Sequence, residues 1–98
     1  MEIEHEFYKR GGGPLGRKNQ SRNLKMHQNG QISYWKGTET RGIVYITSKT
    51  LVGKMDKEYQ WFVETPEEDQ SGSNKSRRFE FEDKKKDAER PNEWVKMV

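Results

Sequence analysis

The sequence predicts a mainly β domain of six or seven short antiparallel strands followed by one C-terminal helix. Three observations carry that expectation. Apolar and polar residues alternate with period two in several separate runs, the pattern of half-buried strands. Turn-forming residues punctuate those runs at short intervals. The last fifteen residues, Lys84 to Val98, lose the alternation and set Trp94 and Val98 four apart, on one helical face. Strands linked by short turns pack as an antiparallel sandwich or barrel.

The elements follow in order. Residues 3–10 (IEHEFYKR) place Ile3, His5 and Phe7 on one side and Glu4, Glu6 and Tyr8 on the other. A glycine run, Gly11 to Gly16, ends this strand. Residues 20–27 alternate again, with Arg22, Leu24 and Met26 on one face and Asn23, Lys25 and His27 on the other. Asn29-Gly30 is a hairpin signal, because both residues tolerate positive φ. It leads into a strand over Gln31–Lys36 that points Ile32 and Tyr34 one way and Trp35 the other. After a turn at 37–40, the β-branched run Arg41–Thr47 reads as a fourth strand. Leu51–Met55 is a short fifth strand, weakened by Gly53. Tyr59–Glu64 and Arg77–Glu82 are the last two strands, separated by a polar loop from Thr65 to Lys75, with Phe79 and Phe81 inward. In the terminal segment Asp87 is the expected helix cap, and Pro91 fits only the first turn, so regular helix starts near Arg90 or Pro91.

Ninety-eight residues suit one domain, read here as spanning 1–98 and cut from a longer protein. Only 29% of residues are apolar, so the core is small, and the eleven aromatics must supply much of it. The absence of cysteine excludes disulfides and thiolate metal sites. No apolar run reaches the length of a membrane span, and no signal-peptide pattern opens the chain. A cytoplasmic domain is expected.

Charge is unevenly distributed. From Phe7 to Lys36 the chain carries Lys9, Arg10, Arg17, Lys18, Arg22, Lys25 and Lys36 and no acid, whereas residues 39–98 carry twelve basic and thirteen acidic side chains. A glycine-rich loop flanked by cations brings positive charge and free backbone N–H groups together, which suits phosphate. Lys84-Lys85-Lys86 is a second basic run, but Glu80, Glu82, Asp83, Asp87 and Glu89 neutralise it. His5 and His27 lack a third ligand at metal spacing, and the glycine run lacks the Lys-Ser/Thr of a nucleotide loop. No convergent acid–base set is visible, so no catalytic residue, metal or cofactor is expected.

Strands in this number, ahead of a single helix with one Trp, resemble the pleckstrin homology (PH) domain over nearly the whole chain. Three segments carry the resemblance. Residues 7–26 are similar to that family's first strand, variable loop and second strand; residues 29–46 to its third and fourth strands; residues 89–97 (ERPNEWVKM) to its terminal helix with its diagnostic Trp. The resemblance implies a seven-stranded, partly open barrel of two orthogonal antiparallel sheets, plugged at one end by the helix through Trp94 and binding ligand at the other. It also implies an inositol-phosphate site made by a Lys in strand one and a basic residue, a spacer and an Arg in strand two. Lys9 and Arg22 match the outer positions; Gln20, neutral, departs from the middle one. Arg17 and Lys18 in the loop stand ready to compensate, Arg10 and Lys25 to assist, and Trp35 is a candidate membrane contact.

The resulting expectation is a monomeric, non-catalytic module bound peripherally to membrane through phosphoinositide or other anionic lipid. The alternative is a protein-interaction module on the same fold, which the neutral Gln20 favours. A nucleic-acid role is disfavoured by the even charge of residues 39–98.

Overall fold

The computed structural model describes residues 3–10, 19–66 and 76–98. Seven strands are present: β1 (Ile3–Arg10), β2 (Asn19–Met26), β3 (Ile32–Lys36), β4 (Glu39–Val44), β5 (Leu51–Lys54), β6 (Gln60–Pro66) and β7 (Ser76–Asp83), followed by helix α1 (Glu89–Met97). They form one antiparallel sheet in the order β4-β3-β2-β1-β7-β6-β5. The first strand therefore lies at the centre, paired with β2 along its whole length and with β7 through Phe7, Tyr8 and Lys9. No described ladder joins β4 to β5, so the sheet is not closed. It does curl: the Thr65 hydroxyl, at the end of β6, donates to the Tyr45 carbonyl just past β4 at 2.5 Å.

Alternation builds the core. Phe7, Leu24, Met26, Ile32, Tyr34, Val44, Trp61, Val63, Phe79 and Phe81 all face the concave side and are buried. Trp94 joins them from α1, which packs on β5, β6 and β7. Its ring stands edge-on to Phe7 at 5.6 Å and lies 5.9 Å from Trp61, and Phe7 is itself 5.4 Å from Trp61. Aromatic edge-to-face packing of this kind adds to the area term of burial. Trp94 is 1% exposed.

Several local expectations shift. The β2–β3 connection spans 27–31 rather than 28–30, since Met26 and Ile32 form the last rung. Gly30 sits at φ +84°, its amide donates to the His27 carbonyl, and Asn29 Oδ1 accepts from the Gln31 amide. The fourth strand ends at Val44, not Thr47. Beyond it, side chains replace the ladder: the Ile46 amide donates to Gln31 Oε1, the Ile46 carbonyl accepts from Gln31 Nε2, and Thr50 Oγ1 accepts from the Thr47 amide. β-Branched composition marked the segment as strand, but its backbone groups are satisfied another way. The loop expected from Thr65 starts later, because Thr65 and Pro66 still pair with Arg77 and Ser76. Within β4, Gly42 faces Tyr34, and a Cβ there would run into the phenol ring. Only glycine lets Tyr34 lie flat on this strand.

The helix cap also differs from expectation. Ala88, not Asp87, is the N-cap residue, and it makes no side-chain cap. Asp87 acts one residue earlier, where its Oδ1 accepts from the Glu89 amide at 2.9 Å. Pro91 lies in the first turn, as its missing N–H requires, and is buried. Among the described residues, no helix is long and apolar enough to cross a membrane.

Candidate anion site

Sheet register decides which of the basic residues meet. The rungs Arg10–Asn19, Lys36–Glu39 and Pro66–Ser76 close their ladders, so the β1–β2, β3–β4 and β6–β7 connections share one end of the sheet. Near that end Lys9 is opposite Gln20, and further in Arg22 is opposite Phe7. Both cations share the parity of the core, so both side chains lie on the concave face. Diagonal neighbours on adjacent strands are within reach of one another when the side chains are long.

Lys9 is half-buried, its Nζ 5.3 Å from the Tyr34 ring centroid and 5.8 Å from that of Phe79. Burial, together with the charges of Arg77 and Arg22, holds its ammonium below the ordinary lysine value. Arg22 is buried and donates to the Ser21 carbonyl at 2.7 Å and to Gln20 Oε1 at 3.2 Å. Gln20 thus orients the guanidinium that a cation at the same position would repel. Arg77, which the sequence reading did not single out, completes the group from β7 and stacks 4.5 Å over Phe79. Among the described residues, no carboxylate pairs with Lys9, Arg22 or Arg77. Three cations with no counter-charge among the described residues are what an incoming anion would neutralise.

The other expected contacts go elsewhere. Arg10 follows Lys9 directly, so it faces the opposite side, where it pairs with Glu80 at 3.1 Å. Burial works against the Glu80 charge, but hydrogen bonds from Arg78 and Arg10 outweigh it and hold the carboxyl below its ordinary value. Lys25 also lies on the outer face, its Nζ 4.6 Å from the Trp35 ring centroid. Trp35 is half-buried there and donates its Nε1–H to Ser33 Oγ at 2.9 Å. Arg17 and Lys18 lie outside the described residues. The predicted six-residue cluster is therefore represented on the concave face by Lys9 and Arg22, with Arg10 and Lys25 on the reverse.

Charge is balanced around the exit from β7, where Asp83 is level with Arg22, both being opposite Phe7. Asp83, buried, accepts from the amides of Lys85 and Asp87 at 3.0 Å each, and its Oδ1 lies 3.1 Å from His5 Nε2. Burial raises the Asp83 pKa, but these hydrogen bonds outweigh it and leave the carboxyl below its ordinary value. Lys84 donates to Glu6 Oε1 at 2.6 Å and to Ser21 Oγ at 2.8 Å, so the exit from β7 is tied to the first hairpin. Its neighbours in the basic run include Lys86, held at φ +57° in the turn before α1. Among the described residues, no group of three His, Cys, Asp or Glu side chains is placed to hold a metal ion.

No model of a known protein family matches the chain, and no curated protein matches it.

Proposed function

We propose that this chain is a PH-like, non-catalytic module that recruits its protein to membrane by binding phosphoinositide or other anionic headgroups. One observation carries the reading. Lys9 and Arg22, the pair singled out by resemblance, share the concave face of the first hairpin, Lys9 near its connecting end and Arg22 opposite Phe7, and no described carboxylate pairs with either. The strand order, the uncovered edges of β4 and β5 and the buried Trp94 support the PH-like reading of the fold. Phosphate is the anion that best suits a buried Arg and a half-buried Lys, because charge-assisted hydrogen bonds to it are short and strong. Arg17 and Lys18 belong to the glycine-rich segment between β1 and β2, outside the described residues. Each basic group near an anionic bilayer contributes on the order of 1 kcal/mol, and salt screens it.

The test is double charge reversal. Lys9→Glu with Arg22→Glu abolishes pelleting with phosphoinositide-containing liposomes while the folded state persists. Equal pelleting by variant and wild type removes the proposal.

A second reading, protein binding on the same fold, draws on Ile43, Tyr45 and Leu51. These large apolar residues are exposed beside the two unpaired strand edges. Absence of liposome binding at low salt, with loss of a captured protein partner on Ile43→Asp, selects it.

A further inference from the structure

We propose that the chain associates with a second copy of itself through the free edge of β5, in antiparallel register about Gly53. The monomer expected from the sequence is then its dilute form. This is independent of the reading of Lys9 and Arg22.

An antiparallel strand turns its backbone groups alternately to its two sides. The Met55 amide donates to the Gln60 carbonyl at 3.1 Å, which fixes the phase of the β5–β6 ladder. By alternation Gly53 bonds to Phe62 and Leu51 to Glu64. Val52 and Lys54, opposite Val63 and Trp61, therefore turn their N–H and C=O groups to the free side. β5 ends the sheet, so among the described residues no strand meets those groups.

β4, the other edge, is blunted. The His27 amide donates to the Gln31 carbonyl, so by the same alternation Ile43 is the residue of regular β4 that faces outward. The register shift beside Trp35 interrupts the strand before it. After it, Thr65 takes the Tyr45 carbonyl, and Gln31 takes both backbone groups of Ile46. Irregularity of that kind protects a sheet edge from pairing. β5 runs in unbroken register, and Lys54 turns its ammonium aside to the Glu58 carbonyl and Asn92 Oδ1.

A second copy fits this edge. With Gly53 opposite Gly53 of the copy, Val52 lies opposite Lys54 of the copy, and both such rungs exchange backbone hydrogen bonds in each direction. Glycine at the two-fold axis has no side chain to hold the backbones apart. Leu51, 60% exposed, comes to lie beside Met55 of the copy on the outer face, and the reverse contact forms by symmetry. From Leu51 to Met55 the one charged residue is Lys54, which meets Val52 of the copy, so no like charges are opposed. Four-residue strands bury less than the roughly 1,200 Å² of a stable complex, so the contact is weak and concentration-dependent.

The test is sedimentation equilibrium over a rising series of protein concentrations, with amide exchange followed by NMR at both extremes. Expected is a mass that climbs from that of the monomer toward twice that value. With it the Val52 and Lys54 amides slow about tenfold or more, while those of Leu51 and Gly53, already bonded to β6, change little. Leu51→Glu sets a carboxylate beside Met55 of the copy and weakens association about tenfold or more at an unchanged thermal midpoint. A wild type that stays monomeric up to millimolar concentration overturns the proposal. So does association that leaves Val52 and Lys54 exchanging as in the dilute sample, or that L51E does not weaken. Slowing of those two amides in a monomer, on addition of an extended valine–threonine peptide, gives the edge to another protein and overturns it equally. None of these outcomes bears on lipid binding.

Discussion

Two groups of charged residues, one around the exit from β7 and one around Lys9, treat charge in opposite ways. At the exit from β7, Asp83 meets His5 and two backbone amides, and on the outer face Lys84 meets Glu6. In the other group, Lys9, Arg22 and Arg77 stand together with no described carboxylate among them. Like charges in close range raise the energy of the folded state. The contrast separates a region that holds the structure from the region proposed to receive a ligand, and substitutions in the two differ accordingly.

The largest effect lies in the region that holds the structure. Trp94→Ala removes the ring that touches Phe7 and Trp61 and leaves a cavity, costing about 3–5 kcal/mol in urea unfolding. A loss below 1 kcal/mol contradicts its role as the plug. Next comes Asp83→Ala, which strips the acceptor from two amides and from His5 and costs about 1–3 kcal/mol at neutral pH. Its pH dependence has a definite sign. The folded carboxyl lies below its ordinary value, so the stabilisation is complete above the unfolded pKa of about 3.9. It fades as pH falls through the lowered folded value. The gap in thermal midpoint between wild type and D83A therefore narrows in acid; a gap that widens there breaks the account.

The smallest effect on stability belongs to the group around Lys9. Lys9→Met keeps the alkyl packing on Tyr34 and Phe79, relieves repulsion with Arg22 and Arg77, and stays within about 0.5 kcal/mol of wild type at neutral pH. Because the folded ammonium titrates below its ordinary value, the folded state releases its proton first. Wild type therefore gains on K9M as pH rises from that lowered value toward the ordinary one. An alkaline series of urea midpoints checks this, and a wild type that loses ground there refutes the repulsion.

Much of this division was readable beforehand. Period-two alternation identified the inward residues of β1, β2, β3 and β7, and the C-terminal Trp, expected to be buried, packs on Phe7 and Trp61. Parity also held information about the site that clustering along the sequence obscured. Lys9 and Arg10 are adjacent, and Arg22 and Lys25 are three apart, so within one strand each pair must divide between the two faces. Arg77 was not legible in that way. It reaches Lys9 only because β1 and β7 are neighbours, a pairing between distant parts of the chain that local pattern does not report. The true end of the fourth strand was hidden for a related reason: Gln31 and Thr65, both remote in sequence, satisfy the backbone at Tyr45 and Ile46.

The central position of β1 has a bearing on how the molecule is made. Its rungs to β7 join Phe7 to Asp83, so during synthesis the earliest strand waits for nearly the last before its second edge is covered. Closing so wide a loop is slow, and an unpaired apolar strand invites association with other chains meanwhile. Chains halted before Ser76 would carry that edge bare, making them the species a chaperone is most apt to meet.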